Sequence, residues 1–505
     1  MYDTPNTASS ATASSATASS ATASSATAHC ATGIDSLCEL PALGLLDLQS
    51  KREVSALEIL DAHLARIAAV NPQVNALVTL GDSEQLRARA RQIDTRWAAG
   101  EWQGVLHGLP VSQKDLTATR GVRTTYGSKV FEHHVPEQSA LIARRCDAAG
   151  ALMIGKSNTP EFGAGSHTFN DVFGVTRNPW DLSKSAGGSS GGAGASLAAG
   201  MNPLACGSDM GGSLRNPAAW NGVVGLRPSP GRVPRAPDLN GWATLGVDGP
   251  MARNVADTAL LLSAIAGPSG ETATELGEPG ATFARPLARD FRGVRVAFSE
   301  SLAGLAVDPE IRRTVHAQAA VFEALGCEVV FADPDLADAE EVFRMERAWM
   351  VGTLVQQLDA DAQSLLKPEI EDECRLHRSL SAADLGQMFV RKTALFQRMR
   401  AFMNVHPFYV LPATQMHPFD ASLRWPASFM GEQYTSYIDW MRICWYLSAT
   451  EAPVLAVPCG FSATGLPIGL QIAGRYRDDW GVLQLGHAYE QASARSWIRP
   501  PLTGA

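Results

Sequence analysis

Between Ser185 and Arg215 the chain reads SAGGSSGGAGASLAAGMNPLACGSDMGGSLR, with nine glycines set among serines. Glycine accepts positive φ and lets backbone approach a ligand closely, so glycines beside serines make a place where several N–H groups can point at one oxygen. That is the equipment of an anion or oxyanion site. A serine hydroxyl in such a place becomes a nucleophile once a base removes its proton, and a lysine serves as that base only when neutral. Lys114, Lys156 and Lys184 are the candidates. An unperturbed lysine, with a pKa of about 10.4, is neutral in roughly one part in a few thousand at pH 7. The fold must therefore lower the pKa by about 3 units, about 4 kcal/mol, and burial at a strand end would do so. A flexible Gly/Ser linker is the competing account, but the apolar run from Ala193 to Cys206 between the glycine clusters is not a linker's composition.

Three motifs resemble those of the amidase signature hydrolases. They are HGLPVSQKD at 107–115, GGSSGG around Ser189 and GSDMGGSLRNPA around Ser213, in that family's order. The likeness runs from about Leu48 to Glu490, including Asn178-Pro-Trp-Asp181, with Leu226-Arg-Pro where many members carry Leu-Lys-Pro. The resemblance implies that Ser213 attacks a carbonyl, Ser189 relays the proton from behind a cis Gly188–Ser189 bond, and Lys114 is the base that later protonates the leaving amine. It also implies an oxyanion cradle of N–H groups from Met210, Gly211, Gly212 and Ser213, each such donor typically worth about 3 kcal/mol. Ser208, Asp209 and Arg215 would orient that loop, or form no more than a local ion pair. The implied fold class is α/β, a single large mixed β-sheet core flanked by helices. The implied substrate is a small-molecule amide, aryl or apolar, with esters and carbamates as further candidates, and no cofactor is needed. The family also contains glutamine-hydrolysing subunits of amidotransferases, which work with partner chains. A noncatalytic binding protein on the same fold would not need Lys114, Ser189 and Ser213 together.

Composition narrows the rest. Hydrophobic residues at 45% and charged residues at 18% describe an ordinary globular protein. The net charge of −9, without clustered Lys and Arg, argues against nucleic acid. Eight scattered cysteines without a C-x-x-C pair read as reduced residues of a cytoplasmic protein, and the eleven histidines show no metal-ligand spacing. A homodimer is compatible with such a chain. Residues 7–28 repeat TASSA four times with neither a basic nor an apolar region, so no signal peptide or membrane span is expected there. Residues 1–30 are predicted to be a disordered tail, with the amidase domain covering 31–505.

The elements that must position the reactive residues follow from local signals. Ser55-Ala-Leu-Glu58 is a capping box, and Leu57, Leu60, Leu64 and Ile67 continue at helical spacing until Asn71-Pro72. A second, more exposed helix covers 83–99. A short apolar strand then delivers Lys114 to a strand end. Gly150 to Ser157 satisfies the pattern G-x-x-x-x-G-K-[ST], but Ala151 to Ile154 reads as a buried strand and not as a phosphate-wrapping loop. Thr159-Pro160 then predicts a helix start. Strands are expected at Val294–Phe298, Glu328–Phe331, Tyr409–Pro412, Val454–Pro458 and Gly465–Ala473, with Asp308-Pro309 opening a helix that Gly326 ends. Residues 335–405 or 413–446 are expected to supply specificity, with Trp425, Met430, Trp440 and Trp445 as lining or core.

Overall fold

The computed structural model describes residues 34–493 and 497–502, so the TASSA repeat lies outside the described residues. Eleven strands form one mixed sheet. In chain order they are β1 (Leu77–Leu80), β2 (Pro110–Lys114), β3 (Leu152–Ser157), β4 (Leu204–Asp209), β5 (Val224–Arg227), β6 (Val247–Ala252), β7 (Arg295–Phe298), β8 (Glu328–Phe331), β9 (Phe408–Pro412), β10 (Val454–Phe461) and β11 (Pro467–Gly474). Across the sheet the order is β1-β3-β2-β4-β6-β5-β10-β11-β9-β7-β8. β2 runs parallel to β3 and to β4, with Gln113 opposite Lys156 on one side and Cys206 on the other. Their C-terminal ends therefore meet at one edge, and Lys114 arrives there beside Ser208. Helices cover the sheet, so β2 and β11 are buried at every residue, which is why they read as unbroken runs and do not alternate.

The helix Gly191–Ala198 is buried along its whole length. Its small residues are a packing requirement: a Cβ on Gly192 would come within 2.3 Å of the Asn158 nitrogen and 2.5 Å of the Ala76 oxygen. The capping box at Ser55 forms, with Ser55 Oγ accepting from the Glu58 N–H and the Glu58 carboxylate accepting from the Ser55 N–H. The helix does not stop at Pro72, however, but continues to Val74. A proline in the last turn forfeits one N–H, and Asn71 closes the end by accepting from the Ala76 and Leu77 N–H groups at 2.9 and 3.0 Å.

Two other expectations are corrected, and one left open between lining and core is resolved. Thr159-Pro160 opens no α-helix: Pro160 precedes a single 3₁₀ turn, Glu161–Gly163, in which Phe162 has φ 50°. The helix expected after Asp308 breaks into Pro309–His316 and Ala319–Ala324. The tryptophans are core. Trp440 stacks on Trp220 with ring centroids 5.2 Å apart, and Trp445 stacks on Phe343 at 4.7 Å. Each pair is worth about 0.5–1.5 kcal/mol beyond its buried area. Trp425 packs half-buried against that core, and Met430 is exposed.

Candidate active site

Lys114 is the last residue of β2 and is buried. Its Nζ donates to Ser189 Oγ at 2.7 Å and to Ser208 Oγ at 3.0 Å. Burial pushes its pKa down to about 7; the carboxylates of Asp248 and Asp209 oppose that shift, and Arg235 adds to it. Roughly half of the amine is then neutral at pH 7, against one part in a few thousand for a solvated lysine. Desolvation at the strand end thus favours the neutral amine, as expected for a cation removed from water.

Ser189 follows a cis Gly188–Ser189 peptide bond, as the resemblance implied. The turn that carries it is held from below by residues sequence reasoning did not single out. Ser166 Oγ donates to the Gly188 carbonyl at 2.7 Å, Thr168 Oγ1 to the Gly187 carbonyl at 2.8 Å, and Asn216 Nδ2 to Ser166 Oγ at 2.9 Å. Ser190, which had no assigned role, ties two parts of the site together. Its N–H donates to the Ser213 carbonyl at 3.1 Å, while its hydroxyl bridges the backbone N–H and carbonyl of Ser208. Neither contact has a signal in the sequence beyond the adjacency of Ser189 and Ser190.

Asp209 ends β4 and organises the loop that follows. Its carboxylate accepts from the Gly212 N–H at 2.8 Å, the Leu214 N–H at 3.1 Å and two nitrogens of Arg215 at 3.0 Å each. Arg227 donates to its carbonyl at 2.6 Å. Burial alone would raise this carboxyl, but Arg215 and Arg227 together hold it well below the usual carboxylate range. Arg215 in turn reaches the Cys444 carbonyl, Gln471 Oε1 and Ser448 Oγ. The local-ion-pair account of Asp209 and Arg215 is therefore too small, because the pair clamps the loop to distant parts of the chain.

One member of the expected oxyanion cradle is corrected. The Gly212 N–H points back to Asp209, so that donor is occupied. The N–H groups of Met210, Gly211 and Ser213 have no acceptor among the described residues. Gly212 is glycine for a steric reason: at φ 115° a Cβ would lie 2.6 Å from Cys444 Cβ. Ser189, Ser208, Met210 and Ser213 line one cavity of about 480 Å³. Its other walls are largely apolar, with Leu116, Tyr126, Phe131, Leu141 and Phe162 on one side and Met350, Val351 and Leu354 on another. The last three lie on the helix Ala339–Val355, inside the stretch expected to supply specificity, whereas none of Trp425, Met430, Trp440 and Trp445 reaches the cavity. A cleft of similar size, about 500 Å³, opens at the starts of β7, β8 and β9, lined by Arg295, Glu328 and Phe408, and shares no lining residue with this cavity.

The family model described as Amidase matches residues 58–483. The chain belongs to the amidase family. This amidase-family chain is 35% identical over 455 residues to an acylamidase of Rhodococcus erythropolis, covering 89% of this chain and 94% of that protein. It is equally 35% identical over 479 residues to the A subunit of the glutamyl-tRNA(Gln) amidotransferase of Synechococcus sp. (strain CC9605), covering 89% and 95%. Among solved structures it resembles a bacterial aryl acylamidase of the amidase signature enzymes, with TM-score 0.86 and 26% identity, covering 92% of this chain and 99% of that one. The expected α/β architecture, one large mixed sheet flanked by helices, is the fold it shares with that enzyme.

Proposed function

We propose that this chain is a serine amide hydrolase in which Ser213 is acylated. Ser213 Oγ attacks the scissile carbonyl and gives its proton to Ser189 Oγ, whose own proton passes to Lys114 Nζ. The negative oxygen of the tetrahedral intermediate is received by the N–H groups of Met210, Gly211 and Ser213, and losing one such donor costs about 2.7–4 kcal/mol of transition-state stabilisation. Protonated Lys114 returns its proton through Ser189 to the leaving amine. Water then repeats the cycle on the acyl-serine, releasing the acid and restoring the Ser213 hydroxyl. What carries the reading is the 2.7 Å bond between a desolvated lysine and Ser189, beside a serine that follows backbone donors without acceptors. The apolar walls of the cavity fit an aryl or alkyl amide. The cysteines other than Cys30 are buried, and a cytoplasmic location suits such a protein. No helix among the described residues is long and apolar enough to cross a membrane.

The likeness to an amidotransferase component favours a second reading, a glutamine-hydrolysing subunit that needs partner chains. Purified chain offered glutamine and simple aryl amides separates the two: turnover of aryl amides without a partner supports the first. For the nucleophile, a fluorophosphonate is expected to label the native chain once, on Ser213 by peptide mapping. Labelling that survives Ser213→Ala and disappears in Ser189→Ala would reverse the two serines.

A further inference from the structure

Arg347, on the helix Ala339–Val355, lines the same cavity as Ser189 and Ser213 and is 5% exposed. Two of its three nitrogens are well occupied. Nε donates to Glu373 Oε1 at 2.8 Å and one terminal nitrogen donates to the Tyr437 hydroxyl, which itself donates to Glu373 Oε1 at 3.0 Å. The other terminal nitrogen meets the thioether of Met210 at 3.1 Å. Sulfur of this kind is a weak acceptor, and a charged donor held out of water with so poor a partner is costly. Met210 begins the loop that ends at Ser213, so this underused donor stands beside the place where the scissile carbonyl would lie.

The surrounding charge says what would satisfy it. Arg347 is already neutralised by Glu373, and the cavity's other guanidinium, Arg235, lies 3.6 Å from Asp238 and 3.8 Å from Asp248. No excess positive charge remains for an anion. We propose that Arg347 determines specificity by donating to a neutral acceptor on the substrate, a carbonyl, ether or nitro oxygen beyond the scissile amide, displacing the Met210 thioether. This rests on the hydrolase reading above.

The test uses aryl amides in pairs of matched size, one carrying a methoxy or acetyl group and the other an alkyl group in the same place. Wild type is expected to prefer the acceptor-bearing member, mainly through KM. The double variant Arg347→Met/Glu373→Gln, which removes both charges together, is expected to lose that preference by about 10- to 100-fold, while Arg347→Lys keeps part of it. Equal losses on both members of every pair would overturn the proposal and leave Arg347 a support for Met210. Should the double variant not fold, competition of each pair against fluorophosphonate labelling of the wild type decides instead, and absence of any preference there overturns the proposal. A wild type that takes the label on Ser213 yet shows no preference sinks the role of Arg347 alone. One that takes no label and cuts no amide sinks the hydrolase reading with it.

Discussion

Lys114 and Lys156 stand at the ends of neighbouring parallel strands, one residue out of register, with Ser157 opposite the first and Gln113 opposite the second. Both are buried, and burial pushes both down to about 7. They part in what their amines touch. Lys114 meets the hydroxyls of Ser189 and Ser208, whereas Lys156 donates to the Thr117 carbonyl and to Thr119 Oγ1 at 2.5 Å. Thr117, with Leu116 and Ala118, lines the cavity, so Lys156 supports one wall of it from behind. Burial at these strand ends thus depresses both lysines alike and does not by itself single out a base. Each amine has a hydroxyl within reach, but that of Ser189 lines the cavity together with Ser213 whereas that of Thr119 does not, and this makes Lys114 the proposed base.

The sharpest way to break this contrast is to remove each amine. Lys114→Met is expected to fold and to lose at least a hundredfold in kcat on an aryl amide, since in the proposed mechanism one proton passes through Lys114, Ser189 and Ser213. Lys156→Met is expected to lose less than tenfold, chiefly in KM, because it loosens a wall and not the proton path. Comparable kcat losses in the two variants would dissolve the distinction. A smaller effect separates them by pH. The rate is expected to rise through about pH 7 as Lys114 releases its proton, and Lys156→Met should leave that midpoint in place. A midpoint that moves with Lys156→Met would assign the titration to the wrong lysine.

The smallest effect is one in which the two lysines should agree. Between about pH 7 and the unfolded value of about 10.4, the unfolded chain keeps a proton on each lysine that the folded chain has released. Stability therefore rises with pH across that window, is complete above it, and is lost as pH falls through about 7. Chemical denaturation at several pH values is expected to show a shallower slope in either methionine variant, by the same amount. Unequal slopes would mean that the two sites are desolvated to different extents.

Much of the half that carries the proposed reacting groups was legible because its signals are local. The glycine clusters, the short apolar strand before Lys114 and the spacing of the two serine motifs each lie within a few residues of the group they place. The buried strand at Ala151 to Ile154 was enough to set aside the nucleotide-binding pattern, and β3 indeed runs through Lys156. What stayed hidden depends on residues far apart. Ser166 and Thr168 grip the turn before Ser189 by hydrogen bonds that no periodicity announces. The helix Ala339–Val355 presents Met350, Val351 and Leu354 to the cavity while also packing Val342 and Phe343 into the core, so its apolar residues do not separate into one stripe. Tryptophans offered no discrimination either, since a large ring serves a core and a pocket equally well until its stacking partner is known.

The reach of Arg215 has a bearing on how this protein comes into being. Every group proposed to react has left the ribosome once residue 213 emerges, less than half-way along the chain. Apart from Asp209, the acceptors that hold Arg215 lie at residues 444, 448 and 471. A nascent or truncated chain ending before them carries both serines, the lysine and Asp209 but lacks the distant acceptors that clamp the loop between β4 and Ser213 to the rest of the chain. That clamp is completed only once residue 471 has been made, and a fragment ending before residue 444 is expected to be inactive.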